Sequence, residues 1–169
     1  VILYKKNYNS YEEMLSVIKR LKKANSNNKV PLFIAIDQEG GRVNRMPSEF
    51  RNLKNIYDMS SVDKDLIYDN GLITGKMLSG MGINMNFAPV IDINDGNCGK
   101  VLHNRCFSGN IDDIGRMGIR YIDGLNASRV ISVVKHFPGH GVTNIDSHFI
   151  TPYVFNNELI LRKHIKPFE

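Results

Sequence analysis

The sequence predicts an α/β protein, a partial TIM-type (β/α)8 barrel of about four parallel strands with intervening helices. Apolar segments of strand length recur along the chain, and segments with apolar residues at helical spacing lie between them. Four strands suit either a small open sheet or half of a barrel, which has ~250 residues when complete. Polar residues follow directly after the strands, where parallel sheets bind ligands, and this regularity favours the barrel.

The first part of the chain contains two predicted strands and one predicted helix. VILY (1–4) is a short apolar strand, and PLFIAI (31–36) is the second. Between them, Ser10 and Glu13 form the capping-box pattern S-Y-E-E, which predicts the start of a helix. That helix carries apolar residues at helical spacing: Met14, Leu15, Ile18 and Leu21. Polar residues directly follow the second strand: Asp37, Gln38 and Glu39.

The remainder of the chain repeats this alternation. A second helix is predicted over about 62–80, with apolar residues at helical spacing: Leu66, Ile67, Ile73, Met77 and Leu78. NMNFAPV (84–90) is the third strand, and a long loop rich in Asn, Asp and Gly follows it. A third helix is predicted near 111–127, and the β-branched VISVV (130–134) is the fourth strand. A further helix is expected to begin near residue 156.

Length and composition are those of an ordinary globular protein. The chain has 169 residues, interpreted as one domain (1–169), with 42% hydrophobic and 23% charged residues. The net charge of +5 does not predict a nucleic-acid partner, because the lysines are scattered. The densest basic group, 19–23, lies on a predicted helix and is interpreted as a solvated face. No apolar run approaches the ~20 residues of a membrane span.

The compartment does not follow from the cysteines or from the first residues. Cys98 and Cys106 form no CxxC pair, and their number does not imply a disulfide. Val1 lies within a predicted strand, so we expect an N-terminal segment to be missing and conclude nothing from the lack of a visible secretion signal. The localisation is left unknown, with the cytoplasm slightly favoured.

The segment KHFPGHGVTNIDSH (135–148) gathers three histidines, a lysine and an aspartate around a Pro-Gly break. His136 and His140 have the i, i+4 spacing of a zinc-binding helix, but the Pro-Gly pair between them disfavours a continuous helix. We therefore predict a loop that starts where the fourth strand ends, and such loops commonly carry chemistry. A zinc site stays open as an alternative, since suitable ligand types are present: His136, His140, Asp146 and His148.

Three motifs resemble bacterial β-N-acetylglucosaminidases of glycoside hydrolase family 3. IDQEGGRVNRM (36–46) is similar to the family's DQEGGRV segment, and LHNRCF (102–107) is similar to its GNRSF segment. The segment 135–148 is similar to the long and specific KH(F/I)PGHG…DSH signature. The resemblance extends along essentially the whole chain. It implies an (α/β)8-type barrel that hydrolyses terminal β-linked N-acetylglucosamine, often from peptidoglycan fragments, without a metal or an organic cofactor.

The resemblance also implies roles for individual residues. The family's general acid/base is a histidine paired with an aspartate two residues earlier, which corresponds to His148 and Asp146. An imidazole, whose ordinary pKa is about 6.5, suits proton donation and return near neutrality. A neighbouring carboxylate can orient the ring and stabilise the imidazolium. The family's substrate-holding residues correspond to Asp37, Arg45, Arg105, Lys135 and His136.

Two further polar residues near these motifs have other expected roles. Asp92 follows the third strand and is expected to order a loop rather than to touch the substrate. His140 lies in the PGHG turn, where it either braces the turn through backbone hydrogen bonds or contacts the sugar. The residues alone do not decide between these two roles for His140.

The chain departs from the family's pattern at one point, the nucleophile of a retaining glycosidase. In the family this aspartate follows a later strand, whereas the present chain ends at Glu169. We therefore expect an incomplete barrel domain that can be inactive by itself. Its open sheet edge predicts self-association. Two rival functions remain: a non-catalytic sugar-binding fragment and a metal-dependent hydrolase.

Overall fold

The structure, a computed structural model, describes residues 1–94, 96, 99–143, 149–151, 153 and 158–169. Its centre is a four-stranded parallel sheet in which each strand pairs with the next along the chain. The strands are β1 (Ile2–Leu3), β2 (Ala35–Ile36), β3 (Met85–Asn86) and β4 (Ile131–Ser132). Helices connect them, so the predicted α/β class with parallel strands is confirmed.

Each regular strand is only two residues long, which is shorter than the apolar runs that predict it. Pairing nevertheless continues beyond β3 and β4, because Lys135 donates its backbone N–H to Pro89 at 3.3 Å. Ile91 in turn donates to the carbonyl of Lys135 at 3.0 Å. These bonds keep the two chain segments side by side up to the edge where the polar residues lie.

Six α-helices lie within the described ranges. They are α1 (Tyr11–Ala24), α2 (Ile56–Val62), α3 (Leu66–Met81), α4 (Gly99–Leu102), α5 (Ile111–Ala127) and α6 (Glu158–Ile165). Short 3-10 segments add single turns at Lys5–Asn7, His103–Arg105, His140–Val142 and Lys166–Phe168. None of the helices in the described part combines the length and the apolar character that crossing a bilayer requires.

The start of α1 follows the capping pattern in part. Ser10 accepts a hydrogen bond on its side chain from the backbone N–H of Glu13 at 3.2 Å, as the pattern predicts. The carboxylate of Glu13 reaches the backbone N–H of Asn9 at 2.7 Å, one residue before the cap. The helix therefore begins where it was expected, with the return bond displaced by one residue.

The predicted helix over 62–80 is wrong at its start. The chain forms two helices here, since α2 ends at Val62 and α3 begins at Leu66. Asp63 separates them, because its backbone is extended and its carboxylate accepts a hydrogen bond from the N–H of Asp65 at 2.8 Å. An aspartate that bonds to nearby backbone in this way competes with the helix.

The buried face of α3 also differs from the predicted one. Ile73, expected to face the core, is 46% exposed. The inward face is instead rich in small and polar residues, and α3 packs along α5 through Gly71, Gly75 and Gly124. A side chain at Gly75 would contact the Cβ of Ser128 at 2.7 Å, which is too close for real atoms. The two helices approach so closely only because these positions have no side chain.

Candidate functional site

A cleft of about 420 Å³ opens where β2, β3 and β4 end. Parallel strands present their carboxyl ends at one edge of the sheet, so residues distant in sequence meet there. All the residues predicted to hold a substrate line this cleft: Asp37, Arg45, Arg105, Lys135 and His136. The structure therefore brings the predicted binding set together, while the role of each member in binding stays a prediction.

Lys135, which follows β4, bridges two carboxylates that follow β2. Its Nζ donates to Oδ1 of Asp37 at 2.7 Å and lies 2.6 Å from Oε1 of Glu39. The side chain of Asp37 is 24% exposed, whereas that of Lys135 is 14% exposed. Since Lys135 uses only Oδ1 of Asp37, the second oxygen of this carboxylate can accept hydrogen bonds from a ligand.

Glu39 also forms a bidentate ion pair with Arg105. Nε and Nη2 of Arg105 donate to the two oxygens of Glu39, both at 2.8 Å. Burial by itself raises the pKa of Glu39, but the Arg105 hydrogen bonds and the Lys135 charge outweigh it and hold that pKa below its ordinary value. Burial likewise opposes the charge of Arg105, yet Glu39 raises the pKa of the guanidinium.

His136 is oriented by a carboxylate that solvent does not reach. Asp92 is fully buried, and its Oδ2 lies 2.6 Å from Nδ1 of His136 and accepts the backbone N–H of His136 at 3.0 Å. An ionised carboxylate accepts only, so Nδ1 carries the proton of a neutral ring. Nε2 is then an acceptor, which suits its 3.3 Å separation from Nη2 of Arg105, a group that can only donate.

Asp92 also holds the PGHG turn, because its Oδ1 accepts the backbone N–H of His140 at 2.7 Å. The expected loop-ordering role of Asp92 agrees with these contacts. The ring of His140 lines the cleft, and its two nitrogens are buried without a hydrogen-bond partner in the described part of the chain. His140 thus combines a braced backbone with a ring at the cleft, and both of its predicted roles stay open.

Arg45 reaches the cleft from a segment that Gln38 holds in place. The buried side chain of Gln38 accepts the backbone N–H groups of Arg45 at 2.9 Å and Met46 at 3.3 Å. Asn86, at the end of β3, fixes Gln38 in turn by accepting its N–H at 3.0 Å and donating to its carbonyl at 2.9 Å. The polar residues after β2 are therefore anchored to β3 by side-chain amides.

The turn after Glu39 depends on two glycines. Gly40 and Gly41 have φ values of 87° and 55°, which favour glycine. A Cβ at Gly41 would lie 2.6 Å from the Cβ of Asn55, so the turn packs directly against the start of α2. The turn brings Val43 back beside Glu39, and the carbonyl of Val43 accepts the N–H of Glu39 at 3.0 Å.

The predicted acid/base pair, Asp146 and His148, lies outside the described residues. The alternative zinc site shares these two residues, so it too falls partly outside. Among the residues that are described, no cluster of three or more His, Cys, Asp or Glu side chains could hold a metal ion. The rings of His136 and His140 meet edge to face with their centroids 5.7 Å apart.

Glu39 is the central cleft residue that sequence reasoning did not assign to the site. It contacts Arg105 and Lys135, and its side chain is only 6% exposed. The alternation of side chains along an extended segment is a signal that could have identified Glu39, since residues i and i+2 point the same way. Asp37 and Glu39 therefore share one side of the chain where β2 ends.

Comparison with known proteins agrees with this geometry. The family described as glycosyl hydrolase family 3 N terminal domain matches residues 1–169. A β-hexosaminidase of Psychromonas ingrahamii is 33% identical over 175 residues, covering 100% of this chain and 50% of the relative. The chain spans about half the length of several such curated relatives.

Solved structures extend the likeness to three dimensions. A family 3 β-N-acetylglucosaminidase from Paenibacillus sp. str. FPU-7 matches with a TM-score of 0.90 and 34% identity, over 99% of this chain and 32% of that one. Native NagZ from Neisseria gonorrhoeae matches with a TM-score of 0.88 and 30% identity, over 99% and 50%. The chain therefore belongs to glycosyl hydrolase family 3 and has the TIM-barrel-type fold of its N-terminal domain.

Proposed function

We propose that this chain carries the sugar-holding part of an active site that hydrolyses terminal, non-reducing β-linked N-acetylglucosamine residues, with peptidoglycan fragments as substrates. The observation that carries the proposal is the convergence of Asp37, Arg105, Lys135 and His136 in one cleft at the carboxyl ends of the strands. Membership of family 3 and the β-hexosaminidase names of the relatives agree with it.

The chemistry of the cleft suits a neutral, hydroxyl-rich ligand. Asp37 offers carboxylate oxygens that accept hydrogen bonds from sugar hydroxyls, and such charge-assisted bonds are the stronger kind. Arg105 and Lys135 are donors, but Glu39 and Asp37 already balance their charge. Because Arg105 and Lys135 are internally paired, these two cations offer little surplus attraction to an anionic ligand, which is compatible with an uncharged sugar.

The proposed reaction is two-step hydrolysis with retention of configuration. His148 would protonate the leaving oxygen and later deprotonate water, while Asp146 orients its ring. The carboxylate nucleophile has no assigned residue in 1–169, and its position stays a prediction. The description of residues 1–169 as an incomplete barrel domain stays a prediction too.

Isothermal titration calorimetry with N-acetylglucosamine tests the sugar-binding part. We expect weak binding to the wild type, and Arg105→Ala should weaken it by about 1–3 kcal/mol, the cost of unsatisfied buried partners. Arg116→Ala is the matched control, since Arg116 is 72% exposed and pairs with Asp113 outside the cleft. An Arg105→Ala protein that folds and binds like the wild type would remove Arg105 from the site.

Hydrolysis of a chromogenic β-N-acetylglucosaminide separates the enzyme from a non-catalytic sugar-binding protein. The second function is favoured by one observation, that the residues gathered in the described cleft are those predicted for binding, not for proton transfer. Binding without turnover would support it. Turnover that a chelator abolishes would instead support the metal-dependent alternative.

We further propose that the chain self-associates through the edges of its sheet. β1 and β4 are the outer strands, and apolar residues on them are exposed, with Ile2 at 45% and Ile131 at 44%. Unpaired strand edges readily add another strand. Sedimentation velocity should show species larger than a monomer, and a single monomeric species across concentrations would contradict this proposal.

A further inference from the structure

The donor groups of Arg105 are almost fully occupied before any ligand arrives. A guanidinium has five N–H donors. Those of Nε and Nη2 bond to Glu39 and His136, and Nη1 donates to the carbonyl of Val101 at 3.1 Å. Within the described part of the chain, one N–H on Nη1 is left for a ligand.

Lys135 is in the same situation. Its ammonium has three donors, and two of them meet Asp37 and Glu39 at 2.7 and 2.6 Å. One N–H therefore stays available among the described contacts. Internal carboxylates therefore fix the direction of both Arg105 and Lys135, and each of the two keeps a single donor for a ligand.

Glu39 is the acceptor that these two cations share. Its Oε1 lies 2.6 Å from Nζ of Lys135 and 2.8 Å from Nη2 of Arg105. Oε2 accepts Nε of Arg105, so both oxygens are engaged. With a side chain only 6% exposed, Glu39 is poorly placed to touch a ligand itself.

The removal of the Glu39 charge would leave Lys135, with Asp37 as its remaining partner, beside a guanidinium that has lost its carboxylate. Like charges a few ångströms apart repel each other, and the repulsion is stronger where water is largely excluded. Lys135 and Arg105 would then be expected to move apart and turn towards water. The free N–H on each would lose its fixed direction, although neither residue had changed.

We propose that Glu39 is a positioning residue, which aims the remaining donors of Arg105 and Lys135 at the sugar without contacting it. This inference rests on the proposed sugar-binding function. Glu39 would then affect the affinity for the sugar only through Arg105 and Lys135. Glu39→Gln keeps the size of the side chain and removes the charge, and should raise the Kd for N-acetylglucosamine roughly tenfold to a hundredfold.

A double-mutant cycle on the full chain tests this by calorimetry with N-acetylglucosamine. If Glu39 acts through Arg105, Glu39→Gln should cost much less affinity in the Arg105→Ala background than in the wild type. Strictly additive losses would overturn the proposal. Asp113→Asn is the matched control, because Asp113 also binds two cations, Lys64 and Arg116, away from the cleft, and its loss should leave the Kd unchanged.

A second readout needs no sugar. The Nε–H of Arg105 is held by a nearly buried carboxylate, so its NMR signal should exchange slowly with water in the wild type and rapidly in Glu39→Gln. Equal exchange in both proteins would overturn the ordering role, whatever the binding data show. Absence of sugar binding in the wild type together with this NMR difference would reject the proposed function and retain the ordering of Arg105.

If circular dichroism shows that Glu39→Gln does not fold, both tests are carried out on Glu39→Asp instead. That variant keeps the charge but withdraws it by one methylene, so it cannot reach both cations at once. We expect faster exchange of the Arg105 Nε–H and a smaller loss of affinity than for Glu39→Gln. Wild-type exchange and affinity in Glu39→Asp would contradict the proposal.

Discussion

The cleft at the strand ends and the contact between α3 and α5 are built in opposite ways. The cleft joins side chains from four separate segments through charged hydrogen bonds, with Glu39 and Asp92 as buried acceptors. The helix contact has no such bonds at its closest points and depends on Gly71 and Gly124, where the backbones touch. The cleft is held together by charged side chains, whereas the helix contact depends on glycines, which have no side chain.

This difference indicates where stability and function lie. Close packing without side chains leaves no room for adjustment, so the helix contact should respond to a single added methyl group. The cleft tolerates an equal volume better but depends on the balance of its charges. We therefore expect substitutions in the helix contact to lower stability without a specific effect on binding, and substitutions in the cleft to weaken binding together with a smaller loss of stability.

The largest effect is expected at Gly71. An added Cβ would press against the backbone carbonyl of Tyr121, which cannot move independently of α5. Gly71→Ala should lower the free energy of unfolding by about 3 kcal/mol in urea titrations. Gly80→Ala is the control on the same helix, since nothing lies within 4 Å of its Cβ, and it should be neutral or stabilising. Equal stability of the two variants would show that the contact between α3 and α5 does not depend on the missing side chain at Gly71.

A smaller loss of stability is expected in the cleft. Lys135→Met leaves Asp37 and Glu39 without their shared cation, so the free energy of unfolding should fall by about 1–3 kcal/mol. The same variant should also lose most of its affinity for N-acetylglucosamine, unlike folded Gly71→Ala. Lys64→Met provides the control, because Lys64 is 54% exposed in its pair with Asp113 and should cost at most about 1 kcal/mol. Wild-type affinity in Lys135→Met would contradict the assignment of Lys135.

The pH dependence of stability should distinguish the two regions as well. The pKa of Glu39 is lowered below its ordinary value of 4.5, so the unfolded chain binds the proton more readily. The stabilisation from Glu39 is therefore complete above pH 4.5 and is lost as the pH falls through the lowered pKa. Urea titrations of wild type and Glu39→Gln should converge in stability as the pH falls below this value. A constant difference over that range would show that the ionised carboxylate is not what stabilises the cleft.

The smallest effect is expected for exposed ion pairs. Arg162 and Glu158 form an i, i+4 pair on α6 with exposures of 74% and 75%. Arg162→Ala should change the free energy of unfolding by less than about 0.5 kcal/mol, because water screens such pairs. A loss as large as that of Lys135→Met would mean that burial does not set the strength of ion pairs in this chain.

Different parts of the structure could be predicted from sequence to different degrees. The strands followed from short apolar runs, the carboxyl-end rule placed Asp37 and His136 at one edge, and the family resemblance added Arg105. The break at Asp63 and the glycine face of α3 did not follow, since both depend on what the chain meets in space. The alternation of side chains could have placed Glu39 beside Asp37, but its role between Arg105 and Lys135 arises only when these two distant cations approach it.

Chemical-shift mapping with N-acetylglucosamine tests most directly whether the cleft is the sugar-binding site. In ¹⁵N NMR spectra of the full chain, we expect shifts at the backbone amides of Asp37, Glu39 and His136 and at the Nε–H of Arg105. Signals of Gly71 and Gly124 should not move. Shifts confined to the helix contact, or no shifts in the cleft at saturating sugar, would contradict it.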